Sequence, residues 1–515
     1  MKRNNLTTAV VAGIAGLAGI ASVANAVELN ADGLGQVLIY PYYTVNAGNT
    51  TLISVVNTTA VPKAVKVRFL EGYNSAEVLD FNLFLSQYDV WTASIFTLGD
   101  AEGGNLLTDD ESCTIPQIKG GTSSSLGTLP DGRKYARFKA SAYLPDPGPD
   151  AITRTREGHA ELIEMATLAP GAIATAITHE DGVPPGCGAG LSSLVNANLD
   201  ELRSPTGGLF GSGSIVNPAI GTIAGYNADA IDGFYTTTDP LQHIYSQPTD
   251  VTPNLASARS VEAVAGVARS YNFVSTAAGT GQLIVSDFVA PIDAVSSIFT
   301  ASAIHNEYVL EAAAGAESEW VITFPTKRFY VNTGAPTAAA IRPFVENFRA
   351  PGRSCVAIGV SYFNREEQTV QSVDEFSPPD EVPGTNLCFE SQVLSFQRSA
   401  DFTANGNKSK ILGSSLTANI DPRSSGFESG WLNIDLDPET GSTIERHMLR
   451  ESNPIAPAVE GNTFLGLPVT GFLAVNYINA NNGATGILSN YAALYRHRAT
   501  RTCVLNDGNT PGACS

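Results

Sequence analysis

The residues whose types and spacing best suit a bound cation lie towards the C-terminal end of the chain. Asp435, Asp437 and Glu439 occupy alternate positions in the segment IDLDPETG. An extended backbone directs alternate side chains to the same side, so the three carboxylates would share one face. Calcium prefers several oxygen ligands, and this segment is therefore a candidate calcium site, although its spacing is not that of an EF-hand loop.

A second oxygen-rich segment contains Asn227, Asp229 and Asp232 and is followed by Gly233. It is a second candidate for calcium on the same chemical grounds. For both segments the alternative is an ordinary solvated turn. Calcium is the one candidate cofactor that the sequence suggests.

Paired carboxylates are a further chemical possibility, because glycoside cleavage requires two carboxyl groups on opposite sides of a bond. The candidate acids are Glu157, Glu161 and Glu164 around His159, and the adjacent Asp374 and Glu375. Acids are plentiful in this chain, and spacing along one strand does not report a separation across a cleft. We therefore expect these acids to belong to a solvated face of the protein.

Motifs of the common catalytic classes are missing from the sequence. It contains no G-x-S-x-G, H-E-x-x-H or C-x-x-C-H, and its six histidines are scattered. A nucleophilic serine, a zinc centre and a c-type haem are thereby disfavoured. No residue is assigned a catalytic role, and a protein without catalytic activity is favoured over an enzyme.

Six cysteines suggest structural disulfides, because they are even in number and lack zinc-ligand spacing. Fifteen pairings are open to six cysteines. Pairing each cysteine with its nearest neighbour in sequence is favoured. That pairing joins Cys113 with Cys187, Cys355 with Cys388, and Cys503 with Cys514.

Residues 1–26 have the pattern of a cleavable signal peptide. Lys2 and Arg3 precede an apolar run, and the segment ends in Ala24-Asn25-Ala26, small residues of the kind that precede a cleavage site. The glycines at 13, 16 and 19 interrupt the run, which is also too short to span a bilayer comfortably. We expect an exported bacterial protein, located outside the cell or on its surface, with the periplasm as an alternative.

The net charge of the sequence limits the classes of partner that we expect. Fifty acidic residues against thirty basic ones give a net charge of -20. Such an acidic protein is not expected to bind nucleic acid or anionic lipid. No later segment is continuously apolar at spanning length, so no integral membrane segment is expected after cleavage. The candidate partners are a second copy of the chain and extracellular polysaccharide.

Strand patterns dominate the sequence and predict a mainly β protein with immunoglobulin-like or similar antiparallel sandwich lobes, long loops and few short helices. Residues 37–45 and 51–56 flank a turn and suggest a hairpin. Val65, Val67 and Phe69 alternate with two cations, Lys66 and Arg68, which we expect to face solvent. A second hairpin is predicted from residues 473–478 and 487–495 around Asn482-Gly483.

The predicted organisation has four parts. The signal peptide (1–26) is followed by an N-terminal β-sandwich lobe (27–150), an irregular Gly-rich middle region (151–339) and a C-terminal β-rich lobe (340–515). Residues 293–312 are the best helical candidate of the middle region, although their apolar spacing is imperfect.

Several segments resemble a group of uncharacterised exported bacterial proteins that are rich in β-structure. The segments are GQVLIYPYYTV at 35–45, TLISVVNTT at 51–59, VRFLEGYNSAEVLDFNLFLSQYDVW at 67–91 and WVITFPTKRFYV at 320–331. The group has no established activity, so the resemblance implies a secreted or surface-located β-rich protein and assigns no catalytic residue.

Three functions follow as hypotheses. The first is a secreted or cell-surface structural or binding protein that associates with itself, with polysaccharide or with a surface. The second is an exported carbohydrate-active enzyme that uses paired carboxylates. The third is an outer-membrane β-barrel, since exported chains rich in alternating strands can close into barrels.

Overall fold

The structure is a computed structural model. It describes residues 26–142, 146–259, 267–275, 281–331, 342–369, 385–438, 447–452, 461–479, 489–505 and 514. Almost all of the predicted signal peptide lies outside these residues. The predicted mainly β fold is confirmed, with antiparallel sheets and short helices.

The N-terminal part of the chain contains short helices between its strands. Its strands are β1 (Glu28–Leu29), β2 (Val37–Thr44), β3 (Thr50–Asn57), β4 (Lys63–Glu71), β5 (Glu77–Leu85), β6 (Val90–Phe96), β7 (Asn105–Leu107), β8 (Thr114–Ile115), β9 (Leu126–Thr128), β10 (Lys134–Arg137), β11 (Glu157–Leu168), β12 (Leu202–Arg203), β13 (Leu209–Asn217), β14 (Thr222–Asn227) and β15 (Asp229–Asp232). Its helices are α1 (Ala172–Ile177), α2 (Leu191–Ala197) and the 3-10 turns Ile152–Arg156 and Leu199–Glu201.

These strands form the two sheets of an N-terminal sandwich. One sheet has the order β1-β15-β2-β11-β4-β5-β8, with β12 beside β11, and the other has the order β14-β13-β3-β6-β7-β10-β9. Alternate residues of each sheet point inward, as the sequence pattern of β4 to β6 predicts, and Val67, Phe81 and Trp91 meet in one core. Strands β11 and β13 to β15 lie beyond residue 150, so this sandwich extends past the predicted lobe boundary.

The C-terminal part contains seventeen further described strands. They are β16 (Ala268–Ser275), β17 (Gly281–Phe288), β18 (Thr300–Ala301), β19 (Ala303–Val309), β20 (Ala316–Thr323), β21 (Val356–Asn364), β22 (Thr385–Leu387), β23 (Ser391–Ser395), β24 (Thr417–Asn419), β25 (Ser429–Asp435), β26 (Met448–Arg450), β27 (Asn462–Leu465), β28 (Leu467–Pro468), β29 (Thr470–Asn479), β30 (Ser489–Arg496), β31 (Arg498–Thr500) and β32 (Thr502–Leu505). The helices here are α3 (Pro291–Phe299), α4 (Arg328–Val331), α5 (Ser399–Ala404) and the 3-10 turns Leu255–Ser257, Ala312–Ala314 and Pro422–Ser425.

A second sandwich is formed by two five-stranded sheets of this part. Their orders are β22-β21-β25-β19-β31 and β24-β23-β20-β29-β30. Leu432 and Trp320, from opposite sheets, share its core. The sheet that contains β29 also packs against the N-terminal sandwich, where Phe472 stacks on Tyr226 with ring centroids 5.1 Å apart. The two sandwiches therefore share apolar contacts.

Small sheets complete the fold beside the two sandwiches. The hairpin β16-β17 and the sheet β26-β27-β32 pack with α3 around a third apolar cluster, whereas the pair β18-β28 contributes Ala301 and Leu467 to the core of the C-terminal sandwich. The structure pairs the cysteines as Cys113–Cys187, Cys355–Cys388 and Cys503–Cys514. This is the nearest-neighbour arrangement favoured from the sequence.

The predicted hairpin of residues 37–56 is wrong, whereas the second one is present. Strand β2 pairs with β11 and β15, and β3 pairs with β13 and β6 in the opposite sheet. The turn at residues 46–49 thus carries the chain from one sheet to the other, which local turn chemistry cannot reveal. Strands β29 and β30 do pair as an antiparallel hairpin, and their Asn-Gly turn lies outside the described residues.

The helix predicted at residues 293–312 is shorter and begins earlier than the sequence suggested. Helix α3 begins at Pro291, a residue favoured in the first turn, and ends at Phe299. From residue 303 the pattern changes to period two, with Ile304 and Tyr308 buried and Glu307 exposed. That alternation is the pattern of a strand with one buried face.

Candidate functional site

Three of the acids considered for glycoside cleavage, Glu157, Glu161 and Glu164, are buried in β11, and Glu157 lies in the wall of a cavity of about 230 Å³. Glu161 accepts a hydrogen bond from Arg68 at 2.8 Å, and Glu164 accepts one from Lys63 at 2.7 Å. Glu157 accepts a 2.7 Å hydrogen bond from the Tyr42 hydroxyl. The expectation of a solvated face is wrong here.

Lys66 and Arg68, which the alternation also predicts in solvent, are buried. Arg68 forms ion pairs with Glu77 and Glu161, and the segment 247–250 covers Lys66. The ammonium of Lys66 donates to the carbonyl of Pro248 at 2.7 Å. His159 lies in the same layer, and burial lowers its pKa to about 3, so that its imidazole is neutral. Asp374 and Glu375 lie outside the described residues.

The first candidate calcium segment is only partly described. The backbone N–H of Asp437 donates to the carboxylate of Asp435 at 2.9 Å, which is the hydrogen bond of a polar turn. Glu439 lies outside the described residues. Within the described ranges, no three His, Cys, Asp or Glu residues are grouped as a metal site would require.

Asp229, from the second candidate calcium segment, is bound by protein groups. Its carboxylate accepts a hydrogen bond from the Thr470 hydroxyl and forms an ion pair with Arg496, whose nitrogen is 2.5 Å away. Both carboxylate oxygens are thereby occupied. Asp229 also lies in the wall of a cleft.

This junction cleft, the cavity between the N-terminal sandwich, the hairpin β16-β17 and the C-terminal sandwich, has a volume of about 360 Å³. A second compartment of about 250 Å³ shares Asp229, Thr470 and Arg496 with it. Both together fall in the size range of small-molecule sites. The exposed ring of Phe273 lies at the edge of the junction cleft, and 58% of the residue is accessible.

Three arginines line the junction cleft, and all three lie at the ends of the neighbouring strands β30 and β31. Arg496 ends β30, Arg498 begins β31, and Arg501 follows β31 directly. Between the first two, His497 is buried and also lines the cleft. The chain passes from one sheet to the other here, since Arg496 pairs with Phe472 of β29 and Arg498 pairs with His305 of β19, and His497 anchors the segment between them.

Two hydrogen bonds, one at each ring nitrogen, hold the side chain of His497 in place. Its Nε2 lies 2.9 Å from the carbonyl of Val321, and its Nδ1 lies 3.1 Å from the amide nitrogen of Asn306. A carbonyl can only accept, so Nε2 carries the proton and Nδ1 accepts from the amide. Burial lowers the pKa of His497 to about 4, and the imidazole is neutral at physiological pH.

The charge of the junction cleft is opposite to that of the whole protein. Among its described lining residues, three guanidiniums face one carboxylate, Asp229, which leaves two positive charges. Burial, followed by the nearby Arg496 guanidinium, lowers the pKa of Arg501. Arg501 forms no ion pair with a described carboxylate. Its guanidinium is therefore available to an anionic ligand.

The sequence carried a signal for this cleft that motif searches do not detect. Residues 496–501 read RHRATR, three arginines in six positions of a chain with 30 basic residues in 515. Phe273 and Asp229 come from distant parts of the chain, and only the fold brings them to this segment.

No protein-family model, curated protein or solved structure matches this chain. Over the residues that the structure describes, no helix has the length and apolar character needed to cross a membrane.

Proposed function

We propose that the protein is an exported, non-catalytic binding protein that holds an anionic polysaccharide in the junction cleft. The excess of two positive charges in this cleft, on a chain with a net charge of -20, carries the proposal. Guanidinium groups bind carboxylate and sulfate oxygens through short, charge-assisted hydrogen bonds. The exposed ring of Phe273 offers an apolar surface to the C–H face of a sugar.

Export is supported by the signal-peptide pattern of residues 1–26 and by the three disulfides, which are typical of oxidising compartments. Extracellular polysaccharides commonly carry carboxylate or sulfate groups. A cationic cleft on an acidic protein would bind such groups while the remaining surface repels polyanions at other positions.

A binding role is favoured over glycoside cleavage by the chemistry of the cleft wall. Asp229 is the one carboxylate among the described lining residues, and its oxygens are occupied by Thr470 and Arg496. Cleavage needs a second carboxyl group across the bond.

Affinity electrophoresis of the purified protein tests the proposal. Gels would contain polygalacturonate, dextran sulfate or neutral dextran, with an assay for released reducing ends in parallel. We expect retardation by one or both anionic polymers, no retardation by neutral dextran and no cleavage. Equal retardation by neutral dextran, no retardation by any polymer, or cleavage would overturn the proposal.

A further inference from the structure

The outer face of the sheet β22-β21-β25-β19-β31 carries a row of polar side chains that begins at the junction cleft. Arg498 of β31 lies opposite His305 of β19, which lies opposite Asn433 of β25, and Asn433 lies opposite Ser361 of β21. Residues that are directly opposite in a sheet share a face. The row therefore crosses four strands from a residue that lines the cleft.

An aromatic pair stands in the neighbouring row of the same face. Trp431 lies opposite Phe363 on one side and Glu307 on the other. The two rings are stacked, with centroids 4.7 Å apart and planes 15° apart, and 43% of Trp431 is exposed. Their neighbours Leu432 and Tyr308 point into the core. The indole is thus held on the solvent side by a well-packed strand.

The composition of this face suits a sugar better than a protein partner. A protein interface usually has a contiguous apolar centre. Here two aromatic rings are surrounded by an amide, a carboxylate and a hydroxyl, from Asn433, Glu307 and Ser361. Sugar hydroxyls can donate to the carboxylate and bond the amide and hydroxyl, while aromatic rings contact the apolar C–H groups of the sugar.

We infer that the ligand of the junction cleft is a chain of sugars that continues across this face to Trp431 and Phe363. The inference rests on the proposed function and specifies the path of its ligand beyond the cleft. We call the surface formed by His305, Glu307, Ser361, Phe363, Trp431 and Asn433 the outer track. It extends three strand spacings from Arg498, about 14 Å at about 4.8 Å for each. Sugars without an anionic group suit the outer track, because Glu307 is exposed there.

A length series tests the inference. Hyaluronan oligosaccharides, from disaccharide to octasaccharide, alternate an anionic and a neutral sugar and serve as the probe. We expect the affinity for the full-length protein to rise about tenfold or more with length and then to level off. Trp431→Ala should reduce the affinity for the octasaccharide to that for the disaccharide. Phe210→Ala, at another exposed aromatic on the N-terminal sandwich, is the matched control and should not change either value.

Tryptophan fluorescence gives a second readout that needs no substitution. The chain has three tryptophans, and Trp91 and Trp320 are fully buried. Quenching by acrylamide therefore reports mainly on Trp431. The octasaccharide should protect Trp431 from the quencher, and the disaccharide should not.

The outcomes separate this inference from the proposed function. Oligosaccharides of every length that bind with one affinity, or an octasaccharide that leaves Trp431 fully quenched, would overturn the inference and leave the anionic cleft intact. Absence of binding at every length, with no retardation by any anionic polymer, would overturn both. Length-dependent binding that Trp431→Ala abolishes would support both.

Discussion

The guanidinium of Arg496 lies 2.5 Å from the carboxylate of Asp229 and joins the last long strand of the C-terminal sandwich to an edge region of the N-terminal one. The carboxylate is almost inaccessible, whereas 64% of the arginine side chain is exposed. One face of the ion pair is therefore part of the protein interior, and the other contributes to the wall of the junction cleft.

Asp229→Asn should strengthen the binding of an anionic ligand. The amide keeps an oxygen to accept from Thr470, but it removes the negative charge that opposes the three arginines. A solvent-screened charge of this kind is worth about 1 kcal/mol, or about fivefold in affinity. Titration calorimetry with oligogalacturonate measures the effect. Asp109→Asn, at an exposed carboxylate that pairs with Arg133, is the control. Weaker binding by Asp229→Asn would contradict the role given to the cleft charge.

His497 should make the fold sensitive to acid. Its folded pKa of about 4 is below the ordinary value of 6.5, because burial penalises the charged imidazole. The unfolded chain binds more protons between these values, so the stabilisation is complete above pH 6.5 and is lost as the pH falls towards 4. The difference amounts to about 3 kcal/mol at most.

Urea unfolding at a series of pH values tests this prediction. The free energy of unfolding of the wild type should fall more steeply from pH 6.5 to 4 than that of His497→Gln, which cannot gain the proton. Parallel curves for the two proteins would show that His497 does not contribute.

The Cys503–Cys514 disulfide should support ligand binding as well as global stability. Arg501 lies two residues before Cys503, and the bridge closes a loop with a sequence separation of 11. Replacing both cysteines by serine should loosen this segment and weaken oligogalacturonate binding by about threefold to tenfold, at an expected stability cost of about 2 to 3 kcal/mol.

Replacing Cys113 and Cys187 by serine is the matched comparison, because that bridge lies in the N-terminal part of the chain. Its loss should lower the melting temperature and leave the affinity unchanged. If both double variants bind alike, the C-terminal bridge has no special connection with the cleft.

The fold class could be predicted because its evidence is local. The alternation around Val67 and Phe81 indicated strands with one buried face, and both side chains are in the core. The sheet partners could not be predicted in the same way. Strand β2 pairs with β11 and β15, more than a hundred residues away in sequence, and nothing in its own residues encodes that choice.

The site was less predictable than the fold. Asp229 was considered as a calcium ligand, yet its carboxylate faces Arg496, which follows it by more than 260 positions. Conversely, the sequence places Lys66 and Arg68 in solvent, because alternation identifies two faces of a strand and does not reveal whether a distant segment covers one of them. Charge patterns along the chain therefore indicate functional surfaces only after the tertiary contacts are known.

The most direct test of the cationic cleft is the affinity of Arg498→Gln/Arg501→Gln for oligogalacturonate, measured by titration calorimetry at several salt concentrations. These arginines have no carboxylate partner among the described residues, so their loss leaves no acid unpaired, and Arg133→Gln on the N-terminal sandwich is the control for charge. The double variant should bind about tenfold or more weakly, with a reduced salt dependence, because two charge-assisted contacts are lost. The control should bind like the wild type. An unchanged affinity in the double variant, with the wild type binding normally, would contradict the cationic cleft as the binding site.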